Sequence, residues 1–347
     1  MEFKIGNKYI GDGHPVFIVA EMSCNHLQRF EYAVEIIKKA KEAGADAIKL
    51  QTYTPDTMTI DCNNQYFTLE GTIWAGKSLY QLYKEAYTPW EWHPKLKKIA
   101  EDEGLVFFST PFDKTAVDFL EDLNVPIYKV ASFEITDIPL IEYIASKRKP
   151  IILSTGIATL SDIELAVSTI RNQGNNQIVL LKCTSSYPAP IEEANLRTIP
   201  NLAETFRVIS GLSDHTEGIA VPAGAVALGA KVIEKHFTLD RSLGGPDAKF
   251  SLEPDEFAEM VKAVRNIEKA LGQISYELTE KMKKGREFSR SLFVVKDIRA
   301  GDIFTEENVK SIRPGMGLSP KYLKKVLGRK SRKDIKRGTP LNWDFID

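Results

Sequence analysis

What most constrains this chain is an alternation. Up to Leu271, runs of aliphatic and β-branched residues keep changing places with segments of helical spacing. Val16–Met22 reads as a buried strand. Phe30–Ala43 reads as a helix with Ala33, Ile36, Ile37 and Ala40 on one face, and Ala45–Gln51 as the second strand. An aromatic-rich insertion at 53–92 precedes the helix Pro94–Glu103. Six further pairs follow: Leu105–Thr110 with Lys114–Leu123, Pro126–Ala131 with Ile138–Ser146, Pro150–Thr155 with Leu160–Asn172, Gln177–Thr184 with a short helix near Glu192–Glu204, Arg207–Ser213 with Gly218–Leu228, and Lys231–Phe237 with Pro254–Leu271. Strands this apolar need both faces covered, and eight β-then-α units can close a parallel barrel. The expected fold class is therefore α/β, a (β/α)8 TIM barrel. A doubly wound open sheet is the alternative, but no glycine-rich dinucleotide fingerprint follows the first strand.

Beyond residue 280 the texture changes. Residues 281–347 hold 18 Lys and Arg against 8 Asp and Glu, a net of +10, while the remainder holds 28 against 39, a net of −11. The basic residues are interleaved with apolar ones, which points to a small domain that docks on an acidic body and away from nucleic acid. Short strands are expected at 291–295, 298–302, 312–315 and 336–340. The domain reading is 1–278 barrel, 279–288 linker, 289–347 small β domain. Three cysteines without a pattern fit a reducing cytoplasm. No run of ~18 apolar residues could span a bilayer and no signal peptide opens the chain, so a membrane role is not expected.

The expected strand ends collect polar residues: Glu21, Lys49 with Gln51, Thr110, Lys129 with Ser132 and Glu134, Ser154, Lys182 with Ser185 and Tyr187, Ser213 with His215, and Glu234 with His236. Barrel active sites lie on this side. An inward lysine near a strand end is costly to desolvate unless an anion meets it. Lys49 and Lys129 with nearby hydroxyls thus describe a phosphate or carboxylate site, or else structural ion pairs with Glu21, Glu134 and Glu234. Ser213 and His215 share one parity, as do Glu234 and His236, so two imidazoles could reach one ion if these strands are neighbours. His26 follows the first strand and reads either as lining the site or as a hydrogen-bonded structural histidine, while His14 and His93 read as structural. The aromatic insertion reads as core packing or as an apolar wall for a 6-deoxy sugar.

These residues resemble the sialic acid synthase family. The matching stretches include Ala20-Glu-Met-Ser-Cys-Asn-His26, Lys49-Leu-Gln-Thr52, Lys129-Val-Ala-Ser-Phe-Glu134, Ser154-Thr-Gly156, Gly211-Leu-Ser-Asp-His-Thr216, Glu234-Lys-His-Phe-Thr238, Gly245-Pro-Asp247 and Arg313-Pro-Gly315. They run in order nearly end to end. Within the family the chain is most similar to the pseudaminate-forming branch, on Gln51–Thr59, Glu85–Trp92, Ser185-Ser186 and Leu243–Ser251. It departs at Leu27-Gln28, where many members carry a small pair.

The resemblance implies condensation of phosphoenolpyruvate with an acylamino sugar, most closely 2,4-diacetamido-2,4,6-trideoxy-L-altrose, to give a nine-carbon 2-keto acid and phosphate. The neuraminate and legionaminate syntheses, which share the mechanism, are the alternatives. It implies that Lys49, Thr110, Lys129, Ser132, Ser154, Ser185 and Ser213 bind phosphoenolpyruvate, and that Gln51, Tyr187, Asp247 and Arg313 bind sugar. His215 and His236 would hold a divalent ion, foremost Mn²⁺, with Mg²⁺ or Co²⁺ admitted. Glu21 would position or deprotonate water, with Glu134 near the reacting carbons. The tail resembles an antifreeze-like (SAF, β-clip) domain, implied to cover the partner's barrel in a domain-swapped homodimer. A metal-dependent hydrolase or deacetylase would need more metal ligands and no paired lysines. A non-catalytic sugar-binding protein would leave the polar strand ends unexplained.

Overall fold

A computed structural model describes residues 1–71 and 74–347, arranged as two compact units, Met1–Gly272 and Gln273–Asp347. Thr72 and Ile73, within the aromatic insertion, lie outside the described residues. In the first unit β1 (Glu2–Ile5) and β2 (Lys8–Gly11) form an antiparallel hairpin. Eight parallel strands then close into a barrel in chain order: β3 (Phe17–Glu21), β4 (Ala47–Thr52), β5 (Val106–Pro111), β6 (Tyr128–Val130), β7 (Ile151–Ser154), β8 (Ile178–Cys183), β9 (Ile209–Asp214) and β10 (Val232–His236), with β10 beside β3. The TIM barrel expected from the alternation is what the chain forms.

The barrel wall has two apolar faces, which is why its strands read as continuous aliphatic runs. Outward residues such as Ile18, Ile48, Leu153 and Leu180 pack against the helices. Phe30–Glu42 shows how: it buries Ala33, Ile36, Ile37 and Ala40, the stripe expected from its spacing. Inward residues such as Val19, Phe108, Ile152 and Val179 fill the lower interior, and Phe3, Ile5 and Ile10 of the hairpin join them. The hairpin was not anticipated, although Phe3 and Ile5 alternate before Gly6, whose positive φ of 58° makes the turn.

One helix moved. In place of 192–204 there is a single turn at Ile191–Glu193 and then a helix at Thr198–Phe206. Pro200 explains the shift: it is tolerated in the first turn of a helix starting at Thr198 but would break one already running from 192. In the insertion, Tyr53 packs edge-on against Tyr83 and Phe112, and Trp90 stacks on Phe119, while Tyr66 is exposed.

The second unit has its own core of Leu292, Val294, Ile298, Phe304, Val309, Val326, Ile335, Leu341 and Ile346. β11 (Ser291–Val294) pairs antiparallel with β12 (Val309–Ile312), and single bridges join Ile298 to Ile335 and Phe293 to Pro340. Before β11, the exposed stretch 273–290 carries a short helix, Glu280–Gly285, capped by Thr279. Among the described residues no helix is long and apolar enough to cross a membrane.

Candidate active site

The inward polar side chains lie above the apolar filling, from mid-strand to the C-terminal ends. There the aliphatic filling gives way to a buried charge cluster. Lys49 on β4 lies 2.5 Å from Glu21 on β3 and 3.7 Å from Glu234 on β10. Lys129 on β6 lies 4.0 Å from the same Glu234 and donates to Ser154 Oγ on β7 at 2.7 Å. All four charged residues are at most 5% exposed. Ionised groups this deep cost several kcal/mol each unless compensated, and the compensation is uneven. Burial raises the Glu21 carboxyl to about 7, against the pull of Lys49. Burial also holds Lys129 below the usual lysine range despite Glu234. Lys49 sits above its usual range because Glu21 and Glu234 outweigh burial, and Glu234 sits below its own because Lys129 and Lys49 do the same. Near neutral pH, then, two ammonium groups face one ionised carboxylate and one partly protonated one. The surplus is positive and sheltered from water, and an anion would balance it.

Hydroxyls surround this surplus. Thr110 Oγ1 lies 3.4 Å from Lys49 Nζ, and Ser213 Oγ donates to Glu234 Oε1 at 3.2 Å. Ser132 Oγ accepts from Ser185 Oγ at 2.8 Å and from the Ile157 amide at 3.0 Å, which leaves its own proton for a third group. The loop after β7 reaches this pair only because residue 156 is glycine. A Cβ there would stand 2.2 Å from Ser185 Oγ and 2.7 Å from Ser132 Oγ. Gln51 Nε2 donates to Glu21 Oε1 at 3.2 Å. Glu134 leaves a buried carboxylate oxygen without a hydrogen-bond partner, and burial raises its carboxyl to about 7.

β9 and β10 are neighbours, with Ser213 opposite Glu234, so the two histidines meet as parity required. Their ring centroids are 5.2 Å apart. His215 Nδ1 lies 3.0 Å from the Thr184 carbonyl, which fixes that nitrogen as the donor and leaves Nε2 as a lone pair. His236 Nδ1 is buried with no hydrogen-bond partner, 3.8 Å from Asp247 Oδ2. Burial, with His215 adding to it, draws His236 well below the ordinary histidine range, so it is neutral. At His215 burial is outweighed by Cys183, which holds the imidazole above the ordinary histidine range, so an ion would have to displace its proton. The two adjacent imidazoles then fit a divalent ion whose other positions are filled by water or substrate. Among the described residues no group of three or more His, Cys, Asp or Glu is placed to hold a metal. Asp247 also accepts from Ser23 Oγ at 2.5 Å.

Tyr187 packs 4.6 Å from the His215 ring and 5.2 Å from Phe250, and Trp74 of the insertion lies 5.9 Å beyond it. This aromatic wall is where the insertion reaches the site. The departure at Leu27-Gln28 also acquires a role. Gln28 Nε2 donates to the carbonyls of Glu85 and Tyr87, tying the first loop to the insertion, and the Leu27 side chain occupies the space above Gly245.

Several residues fall elsewhere. Lys182 shares the outward parity of Leu180, and its ammonium bonds to the Cys183 carbonyl and Thr184 Oγ1. His26 is fully buried between Thr88 Oγ1, the Gln28 amide and Trp92. His93 is held by Thr52 and Pro89, and the half-exposed His14 by Glu2. These three are structural. Arg313 is exposed in the turn after β12 of the second unit. Sequence reasoning missed Cys183, whose Sγ is 3.8 Å from His215 Nδ1, although its parity with Leu181 points it inward. It also missed Phe250 and the buried pair Lys235–Asp214.

The chain is similar to known proteins over most of its length. The NeuB family model matches residues 36–276 and the SAF domain model residues 289–347. The chain is 50% identical over 326 residues to the pseudaminic acid synthase of Campylobacter jejuni serotype O:2, covering 94% of this chain and 95% of the relative. It is 48% identical over 334 residues to the pseudaminic acid synthase of Helicobacter pylori, covering 96% and 98%. A crystal structure of N-acetylneuraminic acid (sialic acid) synthetase from Leptospira borgpetersenii serovar Hardjo-bovis, in complex with citrate, superposes with a TM-score of 0.74 at 36% identity, covering 82% of this chain and 95% of that one.

Proposed function

Because this chain belongs to the NeuB family and ends in a SAF domain, we propose that it is a phosphoenolpyruvate-dependent sugar acid synthase that makes pseudaminic acid from 2,4-diacetamido-2,4,6-trideoxy-L-altrose. The carrying observation is the buried cationic surplus at Lys49 and Lys129 beside the Ser132–Ser185 pair, an anion site in the position where a TIM barrel does its chemistry. The choice of sugar is supported by 50% identity to a pseudaminate enzyme against 36% to a neuraminate one, and by the aromatic wall of Trp74, Tyr187 and Phe250, which suits a methyl group at C6.

In this reading Lys49, Lys129, Thr110, Ser132, Ser154, Ser185 and Ser213 bind phosphoenolpyruvate, and Gln51, Tyr187 and Asp247 orient the open-chain sugar. C3 of phosphoenolpyruvate forms a bond to the aldehyde carbon as the C=O π pair moves onto the aldehyde oxygen. That oxygen takes up a proton to become a hydroxyl, balanced by the proton lost from the water that adds later, and cationic character develops at C2. Glu234 and the ionised form of Glu21 stabilise that charge electrostatically. Glu21, raised to about 7, is poised near neutrality to take the proton of the water that adds at C2. The C2–O bond then breaks, releasing phosphate. Bound at His215 and His236, a divalent ion, Mn²⁺ foremost, would supply Lewis-acid polarisation of the aldehyde oxygen. Arg313 is assigned to the partner's sugar site in a homodimer that exchanges its second units; the opposite charges of the two parts support this. The three free cysteines support a cytoplasmic setting.

The test is phosphate release from phosphoenolpyruvate across a panel of 2-acetamido and 2,4-diacetamido hexoses, with mass analysis of products. Bridging ¹⁸O in phosphoenolpyruvate should appear in inorganic phosphate. Label kept in the keto acid would mean P–O cleavage and remove the role given to Glu21. Preference for N-acetylmannosamine would overturn the choice of sugar.

A further inference from the structure

Behind the histidines lies an ion pair that the reaction does not use. Lys235 and Asp214 face each other across β10 and β9 as direct partners. They point outward, toward the helical layer, while their neighbours His236 and Ser213 point in. Lys235 has no exposed surface and Asp214 is 3% exposed, with Lys235 Nζ 2.5 Å from Asp214 Oδ2. The same ammonium donates to the Thr216 carbonyl. The Thr216 amide and hydroxyl donate to Asp214 Oδ1 at 3.1 and 2.9 Å.

Packing does not call for these charges. Several outward positions on other strands are aliphatic, as at Ile18, Ile48 and Leu180, and among the described residues the polar ones, such as Thr52 and Ser109, carry no buried ion pair. A buried ion pair is commonly no more stabilising than apolar residues of the same volume. What it provides is connection. The turn Asp214-His215-Thr216 is closed on itself around His215 and fastened to the residue immediately before His236. Alongside the β9–β10 ladder, the Phe250 ring that packs on both imidazoles and the separate anchors of each histidine, it is among the described residues the one ion pair that ties the His215 turn to the strand carrying His236.

We infer that Lys235 and Asp214 are positioning residues that hold His215 and His236 at the separation a divalent ion requires. This rests on the reading of the two histidines as ligands. Groups that orient metal ligands typically contribute about 10- to 100-fold in affinity.

The test is Mn²⁺ binding to the full chain, followed by the electron paramagnetic resonance of free Mn²⁺, with phosphoenolpyruvate affinity measured in parallel. Lys235→Met leaves a buried carboxylate, so the decisive variant is the neutral pair Asp214→Asn/Lys235→Met, which leaves no charge alone. It should bind Mn²⁺ about tenfold or more weakly, with phosphoenolpyruvate affinity close to wild type. A folded neutral pair with wild-type Mn²⁺ affinity overturns the inference. If neither variant folds, Thr216→Val keeps both charges and loses one hydroxyl bond. About threefold weaker Mn²⁺ binding is expected there, and no change overturns it. If instead the wild type binds no Mn²⁺, or His236→Ala binds it equally well, the ligand assignment itself fails.

Discussion

Replacing Gly156 with alanine should damage the site while leaving the fold alone. The glycine backbone is not in the left-handed region, so alanine is unstrained there. Its methyl carbon would stand 2.2 Å from Ser185 Oγ, 2.7 Å from Ser132 Oγ and 3.1 Å from Cys183 Sγ. Both hydroxyls must turn away, breaking their 2.8 Å bond and losing their aim at the anion. A neutral hydrogen bond contributes about 1 kcal/mol, and one to a charged phosphate about 1.5–3 kcal/mol. The first loss falls on the stability of the free protein; losing one of the second costs about 1.5–3 kcal/mol, roughly 13- to 160-fold in kcat/KM. Phosphate release, with phosphoenolpyruvate varied at saturating sugar, measures this. Thermal melting should show little change, because the loss of that bond, about 1 kcal/mol, is offset by the reduced freedom of the unfolded chain, which favours alanine by about 0.4–1 kcal/mol. A stable variant within about threefold of wild type would refute the account of the cradle.

Glu134 titrates near 7 because it is buried, so its folded pKa exceeds the unfolded 4.5; its contribution to stability is complete below 4.5 and is lost as pH rises through 7. Glu134→Gln should therefore stabilise the ligand-free protein at pH 8 by about 1–3 kcal/mol, with the gap closing toward pH 4.5 in denaturant melts; a constant gap would refute this. His215→Ala and His236→Ala should each abolish turnover and Mn²⁺ binding with melting preserved, and full activity of the wild type after exhaustive chelation would refute the metal role. Arg313→Ala and His236→Ala, each inactive alone, should regain partial activity when dissociated and reassociated together; mixed dimers that stay inactive would exclude the exchanged arrangement.

Much of the barrel was legible because its signals are local. The helices Ile138–Ser146, Leu160–Asn172 and Pro254–Leu271 begin and end where spacing and capping place them. Parity alone put Glu234 and His236 on one face, as it put Ser213 and His215. Where a competing local signal went unused, the reading slipped: Pro200 delays its helix, and Gly6 turns a hairpin that sat in plain view. Lys182 was grouped with the strand ends by residue type, when the parity of Leu180 directs it outward and that of Leu181 directs Cys183 inward.

Residue types and spacing thus determined, without coordinates, an eight-unit barrel, a basic β tail and a ring of lysines, hydroxyls and histidines at one end. They could do so because period-two and period-3.6 patterns are consequences of backbone geometry. Which charges meet was decided only by closure of the barrel. Glu21 and Lys49 are neighbours because β3 pairs with β4. Glu234, some 200 positions further along, joins them because β10 returns to β3. Burial pushes both carboxyls up, and the lysines divide the roles: burial prevails at Glu21, raised to about 7, while Lys129 and Lys49 prevail at Glu234 and hold it below its usual range. That division depends on distances and burial, which no single stretch of chain contains.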